Sequence, residues 1–268
     1  MANLWTVTID DSSDGKREQH LVAGCFIGRK QDWNPFNKEW RKALKESPPL
    51  AYYQGRKLKS LVGPFVQFRD KTKYPQERDG WDAAYAKRDK LASVIDNSTL
   101  VGFGIGLRIP LYYHIRETHP RGMLFMAEDP FNYILQALIY EIARTIQGID
   151  PKGKVAFVSD LSNKADQYTA TYSQWLDANP ETAKSMIGIS HLDDTQHYGL
   201  QAADMAAGIV KETYDKHSTS NPVTQGFRLG SRFWRIAEID ERYMNEMLDH
   251  ATSIESARRW ALSQFQDV

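Results

Sequence analysis

Residues 154–160 read Lys-Val-Ala-Phe-Val-Ser-Asp, with four consecutive apolar side chains from Val155 to Val158. An extended segment with no polar face needs cover on both sides, which is the environment of a strand in a parallel sheet with helices above and below. The flanks agree. Upstream, Asp129-Pro130 caps a helix whose stripe Phe131, Ile134, Leu135, Leu138, Ile139, Ile142 and Ile146 repeats at helical spacing and ends near Gly148. Downstream, the pattern predicts a helix over 165–176 that stops before Pro180, a strand over 186–192 and a helix over 199–214. Strands alternating with helices predict an α/β fold.

The N-terminal part adds antiparallel strands. Trp5, Val7 and Ile9 alternate with Thr6, Thr8 and Asp10, the period of a strand over 4–10. After the turn Ser12-Ser13-Asp14-Gly15, the apolar run Leu21–Ile27 reads as the return arm of a hairpin. Asn34-Pro35, followed by Phe36, Trp40, Ala43 and Leu44, predicts a helix starting at that pair and ending before Pro48-Pro49. Residues 61–68 are expected to form an edge strand interrupted at Gly63-Pro64, and 81–95 a helix leading into the strand VGFGIGLRI from Val101. Gly102, Gly104 and Gly106 do not fit a dinucleotide-binding fingerprint; they are expected to let another element lie close to that strand. The sheet is therefore mixed. Residues 217–224, rich in Ser, Thr and Asn, read as a linker, and 227–265 carry helical patterns. The expected organisation is one domain over 1–215, with residues 216–268 forming a linker and a C-terminal helical extension packed on it.

Composition excludes several classes of protein. At 268 residues, 41% hydrophobic and 25% charged, the chain can bury a core and is not disordered as a whole. Thirty-four basic residues balance thirty-four acidic ones, so a nucleic-acid partner must be attracted by a local patch. A single cysteine, Cys25, forms no internal disulfide, and its apolar surroundings predict burial and not nucleophilic chemistry. Neither a secretory signal nor an apolar run of membrane-spanning length is visible, which predicts no membrane association and a cytoplasmic location.

The anomaly is Asp204, in the helix GLQAADMAAGIVKETY. Leu200, Ala203, Ala207, Val210 and Tyr214 define the buried stripe, and Asp204, four residues after Leu200, falls on that side. Small neighbours (Ala202, Ala203, Ala206, Ala207, Gly208) bring the helix backbone close to a sheet, and an inward carboxylate there costs several kcal/mol unless it is compensated. Asp10 and Asp11 close the first strand, and Asp160 closes the strand from Lys154, so parallel strands would bring them to one edge. Like charges ~4 Å apart repel by ~4 kcal/mol at an effective dielectric of about 20. A divalent cation reverses that sign, and oxygen ligands of this kind suit Mg²⁺ or Mn²⁺.

The acidic run Ile9-Asp-Asp-Ser-Ser-Asp14, the strand end Phe157-Val-Ser-Asp160 and Gly199-Leu-Gln-Ala-Ala-Asp-Met-Ala-Ala-Gly208, in that order, resemble the domain-of-unknown-function family 3800 over roughly residues 4–214. The last motif carries most of the resemblance. The first departs from the family pattern, with Asp11 where Glu is usual and Ser13 where Gly is usual. The resemblance implies a ribonuclease H-like mixed sheet flanked by helices and an acidic catalytic site at Asp10, Asp160 and Asp204. With Asp11, these residues are the expected metal ligands, and Gln201 lies nearby. A fourth carboxylate is expected by analogy, with Asp70 and Glu128 as candidates.

Arg56, Lys57, Lys59, Arg69, Lys71 and Lys73 face the single acid Asp70 between residues 54 and 73, giving a local charge of +5. Tyr52, Tyr53, Phe65 and Phe68 lie nearby, a combination that suits a phosphate backbone and stacked bases of DNA or RNA as well as it suits a solvated loop. Arg228, Arg232 and Arg235, interleaved with Phe227, Phe233 and Trp234, form a second such cluster. His191, Asp193, Asp194 and His197 have ligand chemistry but match no closed zinc spacing. Ser12 stands where an aspartyl phosphatase wants a second Asp. Two readings follow: a divalent-metal-dependent nuclease or related phosphodiester-processing enzyme, and a non-catalytic ribonuclease H-like module that binds nucleic acid or protein.

Overall fold

The computed structural model describes residues 3–13, 18–216, 234–246, 248 and 249. Its strands are β1 (Leu4–Ser13), β2 (His20–Arg29), β3 (Val101–Arg108), β4 (Lys154–Asp160), β5 (Met186–Leu192) and β6 (Trp234–Ile239). They form one sheet in the order β5-β4-β1-β2-β3-β6. β1, β2 and β3 pair antiparallel, while β4 runs parallel to β1, β5 parallel to β4 and β6 parallel to β3. An antiparallel trio whose first strand continues into two parallel strands is the ribonuclease H-like order, in the mixed α/β class read from the sequence.

The helices are α1 (Lys30–Lys45), α2 (Gly55–Leu58), α3 (Glu77–Asp96), α4 (Ile109–Thr118), α5 (Gly122–Phe125), α6 (Pro130–Ile149), α7 (Ala165–Ala178), α8 (Pro180–Ala183) and α9 (Tyr198–Lys216). On one face of the sheet, α4, α6 and α7 cover Val7, Ile9, Ala23, Cys25 and Ile105, with the predicted α6 stripe inserted among them. Each such fully buried Ile, Leu or Phe is worth roughly 1.5–3 kcal/mol. On the other face, α1, α3 and α9 share a core with Val22 and Phe26. The Asp129 carboxylate accepts the Phe131 N–H (2.8 Å), the cap expected at that position.

Three expectations are corrected. Residues 61–68 are not a strand: Gly63–Arg69 is a 3₁₀ turn of helix, entered through Gly63 at φ +58°. Phe65 and Phe68 are both buried, three residues apart, so the apolar period there is three and not two. The first helix begins at Lys30, because Asp32 rather than Asn34 provides the cap by accepting the Arg29 N–H (2.8 Å), and Pro35 lies inside the helix. The segment 227–265 is not simply helical. Trp234–Ile239 pairs with β3, so the sheet extends past the expected boundary at residue 215, and pairing along an otherwise open strand edge outweighs the local helical pattern. The predicted linker lies outside the described residues. Among the described residues no helix is long and apolar enough to cross a membrane.

Two features of this fold set up the site. β2 and β3 are neighbours, yet residues 30–100 lie between them and build α1–α3, a layer packed over α9. α9 also crosses β1 and β2 closely. A Cβ on Gly24 would stand 2.5 Å from the Ala207 N and 2.9 Å from the Ala206 C, and Gly24 is the cross-strand partner of Asp10 and of Gly104. Ala206 and Ala207 of α9 therefore lie directly against Gly24 of β2.

Candidate active site

β1 and β4 run parallel with Ile9 opposite Ser159, so the next residue of each strand, Asp10 and Asp160, reaches the same sheet edge. The loop after β5 brings Asp194 to that edge, and α9 lays Asp204 across it. These four aspartates line one cavity of about 600 Å³, closed on its far side by Gln54, Gly55, Arg56 and Lys59 around α2 and by Tyr85 and Arg88 of α3.

The carboxylates are crowded by protein and by each other. Burial, then the charges of Asp204 and Asp11, hold the Asp10 carboxyl well above the usual carboxylate range, although it accepts the Asp11 N–H (2.9 Å). Asp204 is pushed up to about 6, by burial first and by Asp194 and Asp160 as well, against the opposing pull of the Gly55 N–H (2.5 Å) and Lys59. Asp160 and Asp194 are raised in the same direction, mainly by burial and partly by mutual or neighbouring acidic charge. Groups that resist ionisation together form a site short of positive charge.

Asp194 brings to the cavity a carboxylate that sequence reading did not place there. Its N–H donates to Asp160 Oδ1 (3.3 Å) and its Oδ2 accepts from Gln54 Nε2 (3.0 Å). Neither earlier candidate reaches the cavity: Asp70 caps its own turn by accepting from the Thr72 N–H and hydroxyl, and Glu128 is exposed. Asp194 was visible in the sequence only beside His191 and His197, and that grouping does not form a metal site. Both His191 ring nitrogens are engaged, with Ser159 Oγ (2.7 Å) and Thr169 Oγ1 (2.8 Å), while His197 Nδ1 lies 3.3 Å from the Leu200 N–H.

Gln201 ties the site together. It is fully buried, accepts from Trp40 Nε1 (2.9 Å) and the Tyr53 N–H (3.1 Å), and donates to the Asp194 carbonyl (3.0 Å). The side chain thus joins α1, the segment leading to Gly55 and the Asp194 loop. Gln201→Leu leaves those groups buried without partners, at about 1–3 kcal/mol each when unrelieved. Urea unfolding is expected to show a loss of about 3 kcal/mol, and a loss below about 0.5 kcal/mol would contradict this role.

Asp11 departs from its expected place. The period of β1 turns it to the face opposite Asp10, where its carboxylate pairs with the Lys164 ammonium and accepts the Tyr168 hydroxyl (3.2 Å). It lines the cavity with that partner already in place.

The basic segment divides. Arg56 and Lys59 line the cavity, and Lys59 lies 3.9 Å from Glu212. Lys57 donates to Tyr52 Oη (2.5 Å), Arg69 donates to the Ser60 carbonyl (2.6 Å), Lys73 lies 4.0 Å from Asp70, and Lys71 is exposed away from the cavity. Tyr53, Phe65 and Phe68 are buried in a ring-to-ring series with Trp40, so their apolar pattern served the core and not base stacking. Arg228 and Arg232 lie outside the described residues, as does the Arg235 side chain. Sequence reading missed Arg88, whose guanidinium lies over the Tyr85 ring at 4.8 Å, together with Lys164 and Lys211 on the cavity wall. No local motif marks them, since three separate helices bring them together. Cys25 is fully buried, as expected, and burial raises its thiol further.

No protein-family model and no curated protein matches the sequence significantly. Among solved structures, the chain is similar to a mutant protein of Bst-RNase HIII (11% identity, TM-score 0.41) and to Bst-RNase HIII in complex with Mn²⁺ (12%, 0.41). These alignments cover 81% and 80% of this chain and 55% and 54% of theirs, so it spans about half their length. It is also similar to the PCNA:RNase HII complex from Archaeoglobus fulgidus, at 14% identity and TM-score 0.37, over 93% of this chain and 89% of that one. At such scores the fold assignment rests on the strand order itself.

Proposed function

We propose that the protein is a divalent-metal-dependent nuclease or related phosphodiester-processing enzyme and a member of the family its motifs resemble. The observation that carries this reading is the arrival of Asp10, Asp160, Asp194 and Asp204, from four separate elements, at one cavity with basic residues on its rim. The donor chemistry fits a hard cation: the carboxylates offer only oxygen, and their raised proton affinity comes from burial and mutual repulsion. A bound Mg²⁺ or Mn²⁺ supplies positive charge at a phosphoryl oxygen and lowers the pKa of an attacking water. Asp10 and Asp204 would hold it, with Asp160 and Asp194 beside them. Gly55 orients Asp204 through its N–H, and Arg56 and Lys59 bind flanking phosphates at the mouth.

One observation favours the second reading, a non-catalytic module binding nucleic acid or protein: among the described residues no three acidic, thiol or imidazole groups stand close enough together to grip an ion as placed. Metal addition separates the two. At a hundredfold excess over Kd, native-state binding adds about 2.7 kcal/mol, so Mg²⁺ or Mn²⁺ is expected to raise the melting temperature by roughly 5–10 °C. The same ions are expected to support cleavage of labelled DNA or RNA. No shift and no cleavage of single- or double-stranded substrates would leave the binding module.

A further inference from the structure

Lys164 lines the same cavity as the four aspartates, yet its ammonium pairs with none of them. It is held from the opposite face of β1 by Asp11, which Tyr168 also engages, and it lies 4.9 Å from the centre of the Phe131 ring. As the N-cap of α7 its backbone is fixed as well, its N–H donating to Ser162 Oγ (3.3 Å). The side chain is mostly buried, at 20% exposure, with the cavity as its open side. An ammonium has three donors, and Asp11 takes one, which leaves donors for an anion in the cavity. A lysine restrained in this way loses little further freedom on binding.

We propose that Lys164 is the residue that contacts the substrate's phosphate beside the carboxylates, and that Asp11 is a positioning residue that aims it rather than a metal ligand. The inference rests on the phosphodiester reading above and deepens it: the substrate is a phosphate polyanion that meets one fixed ammonium inside an acidic cavity.

The test measures the affinity of the full chain for labelled single- and double-stranded oligonucleotides across rising KCl, with millimolar Ca²⁺ as the cation. Each phosphate contact contributes a slope of ~0.7 for single strands and ~0.9 for duplex in log K against log salt. Lys164→Gln is expected to lower the slope by that amount and Lys164→Arg to restore it. Asp11→Asn keeps the ammonium and is expected to hold the slope while lowering kcat. Lys164→Gln leaves Asp11 unpaired; if it does not fold, the double variant Asp11→Asn/Lys164→Gln removes both charges and is expected to show the same slope loss. For a wild type that binds and cleaves, a slope unchanged in Lys164→Gln and in the double variant overturns this proposal alone. A wild type that binds no nucleic acid overturns it together with the phosphodiester reading.

Discussion

Replacing Asp204 by Asn is expected to cut phosphodiester cleavage by about 10³-fold or more, several kcal/mol of lost charge stabilisation, while making the metal-free protein more stable at neutral pH. The two effects share one cause. The Asp204 carboxyl moves from 3.8 to about 6 on folding, chiefly through burial, so between those values the native state holds a proton that the unfolded chain has released. Wild-type stability therefore rises as pH falls through about 6 and is lowest, by this contribution, at and above neutrality. The shift corresponds to a neutral-pH penalty of about 3 kcal/mol. Asn is uncharged throughout, and its carbonyl can still accept the Gly55 N–H. Thermal melts in chelator at pH 5 and pH 7 check this: the variant is expected to melt several degrees above wild type at the higher pH and to show a flatter pH profile. A variant less stable at neutral pH, with the wild-type profile retained, would contradict the account.

The second large effect is expected at Gly24. Its added Cβ would lie 2.5 Å from the Ala207 nitrogen and 2.9 Å from both the Ala206 carbonyl carbon and Cβ, and backbone atoms of a helix cannot rotate away. Gly24→Ala must lift α9 from the sheet, at about 3 kcal/mol, the upper part of the overpacking range. Because Gly24 lies opposite Asp10 and Asp204 is on the displaced helix, cleavage falls with stability. Ala206→Gly in the same chain is expected to restore only part of the loss, since the contact with the Ala207 nitrogen remains. Denaturant unfolding of the wild type and the two variants decides the matter, and a Gly24→Ala change within about 0.5 kcal/mol of wild type would rule out the close crossing.

How far the sequence carried this account depended on which signals are local. The run Val155–Val158, the α6 stripe and the alternation of Trp5, Val7 and Ile9 are periodic, and the fold class followed from them. The small-residue run around Asp204 foretold both a close helix–sheet contact and an inward carboxylate. Residues 61–68 misled because Phe65 and Phe68 have a three-residue period inside a short segment with strand-forming side chains. Trp234–Ile239 misled because its pairing with β3 is not encoded in its own pattern. At the site, Asp10, Asp160 and Asp204 were found from strand ends and one anomalous helix position. Asp194 was obscured by the neighbouring His191 and His197, and Arg88 and Lys164 by their distance in sequence. Asp11 sits next to Asp10 in sequence, yet the two-residue period of β1 sends it to another partner.

The most direct measurement is the anomalous difference map of a crystal soaked in Mn²⁺. The account predicts a peak in the cavity among Asp10, Asp160, Asp194 and Asp204, lost in Asp204→Asn. A well-diffracting soaked crystal with no peak there, or with manganese bound only at other surface carboxylates, would contradict it.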